Sequence, residues 1–201
     1  MAGRRPLVLD VPVFAQREAE CGNTSLKAAL WHLGRRFSAA HLGRLAGLTA
    51  DGIDHGGLID AARRAGAAVY ARADGSLADL RWFVGRGLPV LVGWWSMGPD
   101  DAPFDPRWSR PERRARDCGH YSVIAGSDGP RLLLVDPQWT SARGRPRVVG
   151  RRWVAAREFD AVWYDTDGPG YRPVRRWLMV AHHGGERFAA RRGGGRDHAA
   201  L

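Results

Sequence analysis

A chain of 201 residues can bury one substantial core, and it holds no apolar run of bilayer length, which excludes a membrane-spanning helix. Two cysteines, Cys21 and Cys118, are too few for a disulfide framework and lack the paired spacing of a zinc site, so reduced thiols are expected. The net charge of +10 is concentrated: residues 107–116 carry five arginines against Glu112, residues 143–157 carry six with no acid before Glu158, and the remainder is neutral.

Pro6 to Phe14 is interrupted by Asp10 and has no small-residue cleavage site, so it reads as a first strand rather than a secretion signal, and a cytoplasmic location is expected. Pro12 makes that strand an edge or an extended arm. The run Gln16-Arg17-Glu18-Ala19-Glu20-Cys21-Gly22 then leads into a helix over Cys21 to Leu33, with Leu26, Leu30 and Leu33 on one face and Gly34 as its stop. Ser38 caps a second helix bearing Leu42, Leu45 and Ala46, which Gly47 ends. After the Asp51-Gly52 turn, Gly56-Gly57 introduces an amphipathic helix over Leu58 to Ala62 that ends at Gly66. Three short helices in succession predict a helical subdomain.

The apolar period then changes. Ala67 to Ala71 is a short strand, Ser76 opens a helix through Leu77, Leu80 and Phe83, and Val90 to Trp95 is a buried strand. Residues 96–117, rich in Pro, Asp and Arg, read as a long loop of the kind that lines binding sites. Gly119 to Gly126 and Arg131 to Pro137, two apolar runs around Asp128-Gly129, predict a β-hairpin. With a three-residue turn, Ser127 faces Arg131, Ser122 faces Asp136, and His120 lies on the face of Asp136, one diagonal step away. A two-residue turn would separate them, because one residue of slip turns every side chain over. Arg151 to Ala156 is a strand or turn, Glu158 to Tyr164 a short packing helix, and Arg175 to Ala181 the last strand. The domain is expected to span residues 1–182, with 183–201 a disordered Gly/Arg-rich tail.

A thiol at a helix start feels the positive end of the helix dipole, which favours thiolate. A histidine and an aspartate at the two ends of one hairpin supply a base and its orienting carboxylate. Cys21, His120 and Asp136 are therefore the candidate catalytic residues. Gln16 is the candidate oxyanion donor, acting beside the Cys21 backbone N–H. His32, His41 and His55 are assigned to surface or packing roles. His182 and His183, adjacent on a strand, point opposite ways and have no carboxylate cluster beside them, so neither metal nor cofactor is expected. Trp94 and Trp95 face opposite sides of their strand, so only one can line the face the hairpin shares.

Gln16, Cys21-Gly22, Gly57 to Gly66, Gly119-His120-Tyr121-Ser122-Val123 and Val135-Asp136-Pro137, in this order, resemble the papain-like cysteine peptidases of the bacteriocin-processing family, which trim leader peptides after a double glycine, and their stand-alone relatives. The resemblance covers residues 8 to about 181. It implies an α+β fold of the papain-like kind, with a helical half bearing the nucleophile packed on an antiparallel sheet bearing the base. It also implies Cys21 as nucleophile, His120 as general base, Asp136 as its partner and Gln16 as oxyanion donor, and a peptide or protein substrate. The Gln16 to Cys21 spacing is about one residue shorter than the family's.

Two other functions remain open: acyl transfer from the thioester to an amine by the same triad, and a catalytically silent module that keeps the fold and binds an acidic partner through its arginine segments. The arginine segments flank the hairpin, so they are expected to border the cleft and to favour an acidic peptide. No aromatic-basic RNA signature, helix-turn-helix spacing or zinc pattern accompanies them, which argues against nucleic acid as partner. Cys118, two residues before His120, is a candidate for a redox-sensitive disulfide with Cys21.

Overall fold

Local capping chemistry sets the first half of the chain. In the computed structural model, which describes residues 5–96, 105, 107–115, 119–139, 148–185 and 188, helix α1 spans Cys21–His32, α2 Ala39–Ala46 and α3 His55–Arg64. The Ser38 hydroxyl accepts from the His41 N–H at the start of α2, and Gly47 closes that helix in the left-handed conformation at φ 72°. Asp54 caps α3 by accepting from Gly57 N at 2.6 Å, so α3 begins three residues before the Leu58 start expected from its apolar period. These helices bury Leu26, Leu30, Leu42 and Leu58 completely, each contributing about 1.5–3 kcal/mol of transfer free energy.

The second half is antiparallel sheet. Strand β1 is Leu7–Val8, β2 Ala68–Arg72, β3 Val90–Trp95, β4 Gly119–Ser127, β5 Arg131–Trp139, β6 Val148–Ala155, β7 Tyr164–Asp167, β8 Arg172–Arg175 and β9 Leu178–His182. The main sheet runs β2-β9-β3-β4-β5-β6, and β1 pairs with β4 beyond the end of β3. Strands β7 and β8 form a separate hairpin. One face of the sheet packs Leu91, Tyr121, Met179 and Ala181 against the helical half. The other packs Val90, Val92, Trp94 and Val180 against α4, Leu77–Val84, which starts in a capping box between Ser76 and Asp79, and α6, Ala156–Val162.

Two local expectations are corrected, and one hairpin was not anticipated. The 96–117 stretch holds a short helix, α5 at Arg110–Ala115; Ser109 donates through its N–H and hydroxyl to Glu112 Oε2, both at 2.7 Å, a start signal that the lack of any buried residue hides from an apolar-period reading. The segment after α6 forms the β7–β8 hairpin, whose strands are short and polar. The hairpin turn is longer than three residues: Ser127 pairs with Leu132, not Arg131. A bulge at Ala125 then takes up one residue, so that Val123 pairs with Val135 and the expected register holds from there to Asp136. Most of the expected tail lies outside the described residues, as does Cys118 and any pairing it makes.

Candidate active site

Cys21 opens α1 from a tight approach. Glu20 N donates to Arg17 O at 3.2 Å, and Ala19 holds φ at 59°, a conformation unusual for alanine. The Cys-Gly pair has a packing reason. A β-carbon on Gly22 would lie 3.2 Å from Leu58 Cδ2 and 3.3 Å from Tyr121 Cδ2, so any larger residue would have to displace those side chains by a few tenths of an ångström. Three residues on, Ser25 Oγ donates to the Tyr121 carbonyl at 2.9 Å in the core, tying the helix to the residue next to His120.

His120 and Asp136 are buried, and Nε2 of the ring lies 2.9 Å from Asp136 Oδ1. With Nε2 committed to the carboxylate, Nδ1 is the nitrogen left for Cys21. Burial alone works against a charged ring here, yet the hydrogen bonds to Asp136 and Cys21, with their charges, outweigh it and raise the His120 pKa to about 10. Both contacts favour the protonated form of the ring.

Asp136 is held on both oxygens. Oδ1 also accepts from Gln138 N at 2.9 Å, and Oδ2 lies 3.2 Å from Ser122 Oγ, which accepts from Trp94 Nε1 at 3.0 Å. Trp94, which pairs with His120 across β3 and β4, stands edge-on to its ring with centroids 5.6 Å apart. It is thus Trp94 and not Trp95 that lines the face of the hairpin histidine. Gln16 is placed by its own backbone, whose N–H donates to Pro137 O at 3.2 Å, next to Asp136.

A cavity of about 360 Å³ opens between the α2–α3 loop and the β7–β8 turn, with Thr49, Asp51, Gly52, Asp54, Thr166 and Tyr171 in its wall. It adjoins the turn before Cys21, since a β-carbon on Gly52 would sit 3.7 Å from Ala19 O. The arginines have structural partners here. Arg110 and Arg113 donate to Pro169 O and Tyr171 O at 3.0 and 2.7 Å, and Arg151 donates to Val11 O at 2.6 Å.

A second histidine cluster was not anticipated as a unit. His55 is buried, stacked on Trp177 at 4.1 Å, with Nε2 3.1 Å from Asp165 Oδ2 and Nδ1 3.4 Å from Asp167 Oδ1. The packing role expected for His55 is the one it has. The only sequence signal for its partners is the alternation of Asp165 and Asp167 in a short polar segment. His182, also buried, accepts from Gly184 N at 3.2 Å. Among the described residues no group of three or more His, Cys, Asp or Glu is placed to hold a metal ion, and no helix is long and apolar enough to cross a membrane.

The sequence model of the peptidase C39-like family matches residues 8–170. The chain belongs to the peptidase C39-like family. Solved members of similar fold include a double-glycine-motif protease from an AMS/PCAT transporter in complex with its leader peptide, at TM-score 0.56 and 18% identity over 87% of this chain and 92% of that one. The peptidase domain of Streptococcus ComA, a bifunctional ABC transporter of a quorum-sensing pathway, matches at TM-score 0.55 and 19% identity over 85% and 97%. A protein described as a C39-like peptidase from Bacillus anthracis matches at TM-score 0.62 and 17% identity over 89% and 98%. No curated protein is similar enough to count as a match. The architecture of this C39-like chain is accordingly the papain-like α+β fold, a helical half against an antiparallel sheet, and its family is one of peptidases.

Proposed function

We propose that the protein is a thiol-dependent peptidase in which Cys21 attacks a peptide carbonyl, His120 carries the proton and Asp136 orients His120. The observation that carries this reading is the buried imidazole of His120, hydrogen-bonded to Asp136 and Cys21, contacts that raise its pKa to about 10. Cys21 as thiolate forms the thioester while His120 gives its proton to the leaving amine. Water, deprotonated by the then neutral His120, releases the acid and restores the thiolate. Gln16, backed by Pro137, serves as the oxyanion donor with the Cys21 backbone N–H, because its segment runs directly into the nucleophile.

The substrate is a peptide, as the complex of the double-glycine protease with its leader peptide suggests by analogy. The net charge of +10 favours an acidic one. Because Arg113 and Arg151 bond backbone carbonyls and Arg152 feels the charge of Asp136, Arg114 is the residue on which that preference is tested. Iodoacetamide at neutral pH should alkylate Cys21 far faster in the folded protein than in a denatured control, and mass spectrometry of incubated peptides should show two fragments. Equal alkylation rates and intact peptides would remove the peptidase reading. A product joined to an added amine would replace hydrolysis by acyl transfer.

A further inference from the structure

Ser122 is fully buried on β4, two residues from His120 and so on the same face of the sheet. Its hydroxyl has one hydrogen to give. Trp94 Nε1 at 3.0 Å is a donor only, so the Ser122 oxygen must accept there, and the Asp136 carboxylate at 3.2 Å can only accept. The chain of hydrogen bonds therefore runs one way, from Trp94 to Ser122 to Asp136 Oδ2. The opposite oxygen, Oδ1, takes His120 Nε2 and Gln138 N.

We propose that Ser122 and Trp94 are positioning residues for the Cys21–His120–Asp136 site, locking the Asp136 carboxylate so that Oδ1 faces His120. The proposal rests on the peptidase reading for its catalytic consequence but not for its structural one. A carboxylate anchored only through Oδ1 can rotate about its own side-chain bonds and carry the imidazole with it. An anchor on Oδ2 removes that freedom, and the Trp94 indole, edge-on to His120, fixes the serine. The other titratable groups facing the pair are Cys21 on α1 and Arg152 on β6, which feels the charge of Asp136. Both stay in place when Ser122 is changed.

The test compares Ser122→Val with Ser122→Thr. The two side chains have one shape and differ by a methyl against a hydroxyl, so strain from the added carbon is common to both and their difference reads the hydrogen bond. NMR titration of the His120 ring should give a lower pKa in S122V than in S122T, since a loosened carboxylate supports the imidazolium less. With a cleaved peptide, kcat should fall about 10- to 100-fold in S122V relative to S122T at unchanged KM, the fold-change expected for one hydrogen bond to a charged group. Trp94→Phe, which deletes the first donor together with part of the ring packed on His120 and Phe159, should move both readouts the same way, and it serves if S122V does not fold. Identical His120 titrations in S122V and S122T, or in W94F and wild type if S122V is unfolded, would overturn the proposal. A lowered His120 pKa in a protein that cleaves nothing would leave the positioning role standing and overturn the peptidase reading instead.

Discussion

The imidazole of His55 lies 3.1 Å from the carboxylate of Asp165, a residue 110 positions away and only 3% exposed. Burial pushes the Asp165 pKa up, and the His55 hydrogen bond opposes that rise only in part.

Replacing His55 by Ala removes that opposition. The loss should be about 3–5 kcal/mol, the usual result of stripping one partner from a buried pair, or a melting temperature lower by on the order of 10 °C. A carboxyl whose folded pKa lies above its unfolded one contributes stability at low pH that is lost as pH rises through the folded value. H55A should thus lose more stability than wild type between acid and neutral pH in calorimetry. Parallel curves would show that Asp165 finds another partner.

Gly93 on β3 leaves the space this pair occupies. A β-carbon there would overlap Asp165 Oδ2 and come within 3.1 Å of His55 Nε2. Gly93→Ala should cost about 1–3 kcal/mol, as overpacked cores do. In a double-mutant cycle the cost should shrink once Asp165 is Ala, because the atom that the new β-carbon overlaps is gone.

The His120 pKa of about 10 has two consequences of known sign. An imidazolium held above its unfolded pKa of about 6.5 contributes stability that is complete below that pH and lost as pH rises through the folded value. Melting temperature should therefore fall on approach to pH 10, and the fall should be shallower in His120→Asn. Peptide cleavage, which needs the proton on His120, should show its alkaline limb near pH 10. A limb close to pH 6.5 would mean that Asp136 and Cys21 do not hold the proton.

Asp136→Asn keeps the size of the side chain but offers an amide to His120 Nε2, which favours the wrong tautomer and removes the charge. Turnover should fall about 10²- to 10⁴-fold, while the protein stays folded. Circular dichroism together with an alkylation rate of Cys21 approaching that of the denatured protein would identify the cause as lost activation.

Charge reversal separates the two kinds of arginine. Arg151→Glu should cost about 1–2 kcal/mol, since it deletes the hydrogen bond to Val11 O that holds the N-terminal arm. Arg114→Glu, on the exposed side of α5, should leave stability within about 0.5 kcal/mol and report on acidic-peptide preference alone. Equal effects on melting temperature would show that the carbonyl contact of Arg151 carries nothing.

The helical half was legible in the sequence because Ser38 caps α2, Gly34 and Gly47 end the segments before them, and all act within four residues along the chain. The pairing of His120 with Asp136 was legible for a similar reason, since one hairpin joins them. Even there the register was reached by another route: a longer turn shifts it by one, and the bulge at Ala125 shifts it back. A bulge depends on how both faces of the strand pack, which no local pattern records.

What the sequence by itself determined was the set of caps, stops and alternations, and with them the helices, the hairpin and the candidate residues it carries. Tertiary structure alone decided which distant groups meet: Cys21 with His120, His55 with Asp165, Arg151 with Val11 and Trp94 with Ser122. The physical reason is range. Capping and turn preferences are properties of a few consecutive residues, whereas a contact across 28 to 140 positions exists only once two buried faces have excluded water and selected the groups between them.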